Sequence, residues 1–310
     1  MSGVFSGFTA IFIMVGVGFL LGRTGVLGEH AGEVLSRLVF FVATPALLFH
    51  SLVTTDLSAV FSTTLVIAGG SALAIALVYL IVARAFLRRP VPELVIGALS
   101  SSYVNSVNLG VPIAIFVLDD ASFIAPLLLF QILIFSPIAL TALDLTALER
   151  GTGRPFRDAV VLPLTNPIVI GGLIGVAISA IGWTPPQAIL EPLNMLGNAS
   201  VPGALLAFGL SLTGVTIFKK GESPRRDIVL ATVLKTVAMP LLVYVIARWG
   251  FGEQGHKLFA QTVIAALPTA QNVLVYATRY RRGQVLARDA ALITTIASIP
   301  AIAIIAWLLA

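Results

Sequence analysis

Long apolar runs dominate this chain and constrain its fold more than any other feature. Ten segments are predominantly apolar: 4–22, 36–53, 60–83, 94–118, 123–143, 160–182, 193–214, 228–247, 257–278 and 287–309. A bilayer-spanning helix takes about 20 such residues. Spanning strands would be about ten residues long and would alternate in polarity; these runs do neither, so membrane helices are predicted. Composition agrees, since charged residues make up 11% of the chain against about 25% in soluble domains. A soluble enzyme, a nucleic-acid binder and a receptor with a large extramembrane domain are thereby excluded. With no cysteine, disulfides and thiol chemistry are excluded too. The start of the chain has neither a basic leader nor an A-x-A cleavage pattern, so the first segment reads as a span.

The positions of the basic residues test this count independently. With the N-terminus outside, the inner loops hold Arg23 and Arg37; Arg84, Arg88 and Arg89; Arg150, Arg154 and Arg157; Lys219, Lys220, Arg225 and Arg226; and Arg279, Arg281, Arg282 and Arg288. The outer loops hold only Arg248 and Lys257, and Lys235 lies within a span. Short basic loops stay cytoplasmic. The expectation is a multi-pass protein of the inner (cytoplasmic) membrane with ten transmembrane helices and both termini outside. The net charge of +5 is then topological and implies no nucleic-acid partner.

Ten spans divide into two fives, 1–150 and 151–310. Gly18-x-x-x-Gly22 is answered by Gly171-x-x-x-Gly175, Pro45 by Pro202, and Pro112 by Pro268, at offsets of 153, 157 and 156 residues. An odd number of spans per half forces opposite orientations, so the expected fold is all-α, with two inverted five-helix repeats of the kind that builds many secondary transporters. Apolar helices rich in Gly and Pro also align by chance. The Gly-x-x-x-Gly pairs read as close helix packing.

Segments 4 and 9 carry the chemistry. The fourth reads Ser100-Ser-Ser-Tyr-Val-Asn105-Ser-Val-Asn108-Leu-Gly110-Val-Pro112; the ninth runs from Gln261 to Pro268-Thr-Ala-Gln271-Asn272. Proline in mid-span removes a backbone donor and clashes with the carbonyl one turn earlier, and freed backbone groups survive in a bilayer only where protein or a wet cavity satisfies them. Two such prolines at matching places predict broken helices meeting at the midplane, where half-helix N-termini offer N–H groups to an anion. The candidate substrate-binding residues are Asn105, Asn108, Gly110, Pro112, Pro268, Gln271 and Asn272. Either proline alone reads as a kink, and the amides read also as interhelical glue. Lys235 lies about two turns inside segment 8, roughly 12 Å deep at 1.5 Å per residue. No acid lies at comparable depth, so its expected partner is the carbonyl end of a broken helix or the substrate; the bland alternative is snorkelling. His50 reads as a relay or a packing residue, and Asp119, Asp120 and Asp144 as boundary residues. No catalytic pair, metal-ligand cluster or phosphate loop is visible, so no enzyme and no cofactor is expected.

In this order, Asn108-x-Gly-x-Pro112, Lys235 with Pro240, Pro268-Thr-Ala-Gln-Asn272 followed by Ala277 and Tyr280, Pro45, and Pro202 with Gly209 resemble the auxin efflux carrier family over essentially the whole chain. That family includes plant auxin carriers and bacterial organic-acid permeases. The resemblance implies that helices 4 and 9 cross at their breaks within a mobile group of helices 3–5 and 8–10. It implies further that helices 1, 2, 6 and 7 form a scaffold and a homodimer interface. The short connection between helices 5 and 6 matches bacterial members. Plant members place a carboxylate near the substrate, for which no deep acid stands here.

The expected function is secondary transport of a small organic anion by elevator-type alternating access. Malonate, malate or similar carboxylates are favoured over auxin-like acids. The anion would sit between Pro112 and Pro268, and Lys235 would compensate charge at a half-helix end or on the substrate. Na⁺ coupling, H⁺ coupling and uniport all stay open. The alternatives are a cation or proton antiporter of similar architecture, which lacks the expected acid pair, and a non-transporting membrane ligand sensor.

Overall fold

The computed structural model describes residues 2–54, 63–118, 123–148, 167–213 and 223–309. Among them regular structure is helical, apart from one isolated β-bridge between Val104 and Thr269. The helices are α1 (Ser2–Thr24), α2 (31–54), α3 (Thr63–Leu87), α4 (Val91–Ser102), α5 (Ser106–Phe116), α6 (125–148), α7 (Pro167–Ile181), α8 (Gln187–Ser211), α9 (Arg225–Gly250), α10 (Gly255–Ala266), α11 (Asn272–Tyr280) and α12 (Gln284–Leu309). Five of the described helices, α2, α3, α8, α9 and α12, are long and apolar enough to cross a membrane, and shorter apolar helices lie in α1, α4, α5 and α7. The chain is a multi-pass, all-helical membrane protein. Asp119 and Asp120, the inner loop with Arg150, Arg154 and Arg157, the 150/151 boundary of the expected repeats, and Lys219 and Lys220 lie outside the described residues.

Proline placement explains much of the local geometry. Apart from those ending α3 at Ala83–Leu87 and α9 at Ile246–Gly250, wide π turns occupy Val39–Ala43, Ser106–Gly110, Gln131–Phe135 and Leu234–Ala238. Each is followed two residues later by a proline: Pro45, Pro112, Pro137 and Pro240. Proline clashes with the carbonyl four residues before it, and in all four cases that carbonyl falls at the middle of the π turn. Widening the helix by one residue relieves the clash without cutting the helix.

The chain folds as two compact units. One holds α1, α2, α7 and α8 with most of α5 and the first turn of α6. Its glycines admit close backbone contact: a Cβ on Gly171 would lie 2.6 Å from the Pro45 carbonyl oxygen, and one on Gly18 would collide with the backbone of Leu206. Hence α7 packs on α2 and α1 packs on α8. Thr44 and Ser200 share a buried hydroxyl–hydroxyl bond of 2.8 Å. The other unit holds α3, α4, the rest of α6, and α9 to α12. Its core includes Ile67, Tyr79, Leu99, Val263 and Ala290, and Gly97 makes room for the Tyr79 ring.

Candidate functional site

Segments 4 and 9 are both broken, each by its own chemistry. In segment 9, α10 ends at Ala266, and Leu267 turns to φ −56°, ψ 148°. The Pro268 ring disfavours helical backbone at the residue before it, so the stop is written in the sequence. In segment 4 the break falls at Tyr103–Asn105, with Tyr103 at φ −83°, ψ 108° and no proline beside it. There Ser100, Ser101 and Ser102 turn their hydroxyls back onto the carbonyls of Ile96, Ala98 and Ala98 at 2.8, 2.8 and 2.6 Å, competing with the helical ladder.

The freed backbone groups satisfy each other. Asn105 N–H donates to Pro268 O at 2.8 Å, and Ala270 N–H donates to Tyr103 O at 2.9 Å. The Thr269 hydroxyl donates to Ser100 O at 2.5 Å, while its N–H donates to Thr294 Oγ1 at 3.1 Å. From α6, Gln131 accepts from Ser106 Oγ at 2.6 Å and donates to Val104 O at 3.0 Å. A buried polar chain flanks the break, with Tyr103 OH 2.8 Å from Ser136 Oγ, which lies 3.2 Å from Tyr276 OH. The Tyr103 ring stacks on Phe135 at 5.6 Å. This mutual pairing lets irregular backbone persist among apolar helices.

Asn105 and Pro268 are therefore brought together, through their backbones. Gln271 and Asn272 follow directly: Asn272 opens α11, and Gln271 O accepts from the N–H groups of Leu274 and Val275. Both are half-buried. Lys235 is fully buried and donates to Ala265 O at 2.7 Å, in the last turn of α10. Asn108, Gly110 and Pro112 lie on α5, in the other unit; Gly110 and Pro112 are buried and Asn108 half-buried.

The sequence put the break of segment 4 at Pro112; the structure puts it at Tyr103–Asn105. The breaks meet at Val104 and Thr269, eight residues before Pro112, because the π turn Ser106–Gly110 absorbs the Pro112 clash and leaves the helix intact there. The pair is also 165 residues apart rather than 156, so Pro112 and Pro268 do not occupy matching places in the two breaks. His50 sits half-buried on α2. Sequence reasoning missed Thr269, Gln131, Ser136 and Tyr276. Their signal was present, as hydrogen-bonding residues in otherwise apolar spans, but nothing in the linear order paired them with the breaks. It also missed the full burial of Asp289, which is paired with Arg288 at 2.7 Å and Ser223 at 2.8 Å.

Multiple apolar helices and a mutually satisfied pair of helix breaks place the chain among multi-pass membrane transport proteins. Residues 4–152 and 157–306 match the family described as Membrane transport protein. The chain belongs to that family, the auxin efflux carrier family its motifs resemble. It is 26% identical over 300 residues to a protein of Rhizobium meliloti (strain 1021) described as "Putative malonate transporter", covering 93% of this chain and 90% of that protein. A protein of Methanothermobacter thermautotrophicus described as "Uncharacterized transporter" is 27% identical over 284 residues, 86% of each chain.

Proposed function

We propose that the protein is a secondary transporter of small organic anions, with malonate-like carboxylates as its substrate class, working by elevator-type alternating access. The observation that carries this reading is the pairing of the two helix breaks at Val104 and Thr269. A break of this kind leaves a half-helix N-terminus, here the start of α11 at Asn272, with N–H groups and a partial positive charge for a carboxylate. Asn105 and Gln271 flank it, and Asn108, three residues further along segment 4, is assigned with them by its sequence position. The name of the Rhizobium relative favours a dicarboxylate.

Ten spans in two inverted repeats, with helices 4 and 9 crossing, form the frame. Reciprocal glycine contacts, α1 on α8 and α7 on α2, support the repeat, as does the bond of Thr44 to Ser200, which stand 156 residues apart. The division into two units supports a scaffold of α1, α2, α7 and α8, which we assign to a homodimer, and a moving group around the breaks. The basic inner loops support an inner-membrane location with both termini outside.

Counterflow of radiolabelled malonate into preloaded proteoliposomes tests the proposal. The expected result is accumulation by the wild type and a fall of about tenfold in Asn108→Ala and Pro268→Ala, equivalent to about 1.4 kcal/mol. Unchanged counterflow in both variants would sink the assigned site.

A further inference from the structure

A cavity of about 340 Å³ opens in the second unit, at the end where α4, α9 and α12 begin. Its size is at the lower end of the roughly 300–1,000 Å³ of ligand pockets, and it takes no part in the helix breaks. Charged side chains of both signs line it: Arg89, Asp227, Glu93 and Arg281. Two of these charges are spent on each other, since Arg89 holds the buried Asp227 with two hydrogen bonds. The other two are open. Glu93 lies 3.8 Å from Arg89 Nη1, beyond the roughly 3.2 Å reach of a hydrogen bond. Arg281 is exposed and makes no ion pair among the described residues.

The turn after α11 fixes Arg281 beside α4. Arg282 N–H donates to Ala277 O at 2.9 Å, a helix closure that needs a left-handed residue at the position before Arg282, usually glycine. Here that residue is Arg281, at φ 53°. Gly283 follows at φ 60°, and a Cβ on it would press on Ile96 Cγ2 at 2.9 Å. The turn therefore lies directly on α4, within one helical turn of Glu93. One open guanidinium and one open carboxylate share a single cavity. A plain anion would meet Glu93 and a plain cation would meet Arg281, whereas a zwitterion matches both. The first N–H groups of α12, which lack acceptors within the helix, add donors on the Arg281 side.

The rim identifies the zwitterion. Pro224, Val285 and Leu286 complete the lining, and the large apolar side chains of Phe86 and Val91 are exposed on either side of Arg88 and Arg89 in the chain. Charge inside and apolar surface around it suit an amphiphile. No aromatic residue lines the cavity, so it lacks the cage that holds a quaternary ammonium; a carboxylate instead accepts hydrogen bonds from a primary one. We propose that this cavity binds the phosphoethanolamine headgroup of a membrane lipid, with its phosphate at Arg281 and its ammonium at Glu93. A lipid seated there bridges α4 and the start of α12. The inference is independent of the transport reading, because it concerns a different site and is read without substrate.

Thermal unfolding of the full chain in detergent tests it, with added dioleoyl phosphatidylethanolamine, phosphatidylcholine or phosphatidylglycerol, and with glycerophosphoethanolamine, which has the headgroup but no acyl chains. Binding to the native state raises the unfolding temperature saturably. For the wild type, phosphatidylethanolamine should reach half its effect at a concentration about tenfold or more below the other two lipids, as expected for one charge-assisted hydrogen bond. The soluble ester should give no shift at the same concentrations. Arg281→Asn, which keeps a residue tolerant of the left-handed backbone, should lose about tenfold in apparent affinity. Glu93→Lys should reverse the preference toward phosphatidylglycerol, a change that mere loss of structure does not produce. Should that variant fail to fold, the isosteric Glu93→Gln should abolish the preference for ethanolamine over choline. Equal shifts from all three lipids in the wild type would overturn the inference. So would a preference for phosphatidylethanolamine that survives intact in the Arg281 and Glu93 variants. An equal shift from glycerophosphoethanolamine would overturn the assignment to a lipid and make the ligand a soluble ester.

Discussion

Asp227 shows how a charge is kept at the edge of the membrane interior. It is 2% exposed, and the Arg89 guanidinium grips it with two bonds, Nε to Oδ1 at 3.0 Å and Nη2 to Oδ2 at 2.7 Å. These hydrogen bonds hold the Arg89 pKa above its ordinary value. Removing Arg89 strands a buried carboxylate. The cost of Arg89→Met should fall between the ~1 kcal/mol of an exposed pair and the ~3–5 kcal/mol of a fully buried one, because Arg89 is partly solvated. Asp227→Asn, which leaves no orphan anion, should cost less; equal losses in denaturant unfolding would refute the asymmetry. On the other side of the same unit, burial pushes the Glu253 carboxyl up. Hydrogen bonds from Lys257 at 2.7 Å and Thr63 at 2.5 Å, with the Lys257 charge, outweigh it and leave the pKa lowered. The folded state thus holds this proton less tightly than the unfolded chain. Its stabilisation is complete above the ordinary value of about 4.3 and disappears as pH falls through the lowered one. The wild type should therefore melt above Glu253→Gln at neutral pH, by under about 1 kcal/mol since Lys257 is well exposed, and the gap should close in acid. The depth of Lys235 was legible from its distance along segment 8; that Ala265 would receive it was not, since those residues are 30 positions apart.

At the scale of elements, proline acts through its surroundings. Pro45, Pro112, Pro137 and Pro240 all follow π turns that keep their helices continuous, whereas Pro268 follows a true break. The rule that proline interrupts a span was therefore right for segment 9 and misplaced for segment 4, where three serines end the helix. Glycine contacts set how closely elements pack. In Gly171→Ala the new Cβ would press on the Pro45 carbonyl at 2.6 Å, a backbone atom that yields only if α7 moves from α2. A loss of about 1–3 kcal/mol is expected from such overpacking. Gly70→Ala on α3 meets nothing within 4 Å and should be neutral or stabilising by about 0.5–1 kcal/mol. Thermal unfolding of the two variants side by side measures the difference, and similar shifts would argue against close α2–α7 contact.

At the scale of the whole molecule, topology is the testable consequence of the charge pattern. The absence of cysteine makes single-cysteine labelling clean. Gln254→Cys should react with a membrane-impermeant maleimide from outside intact spheroplasts, and Gly153→Cys only after permeabilisation; the reverse pattern would invert the orientation. By itself the sequence determined that this is a multi-pass helical membrane protein, that segments 4 and 9 are interrupted, and that a lysine lies deep in the eighth. Hydrophobic run length, loop charge and polar residues in apolar spans are local properties, and local properties are written in linear order. The tertiary structure alone decided that the breaks meet at Val104 and Thr269, that Gln131 clamps one of them, and that Lys235 closes the end of α10. Those contacts join residues far apart in the chain, and they form because each buried backbone group freed by a break must find its partner wherever the packing brings one within reach.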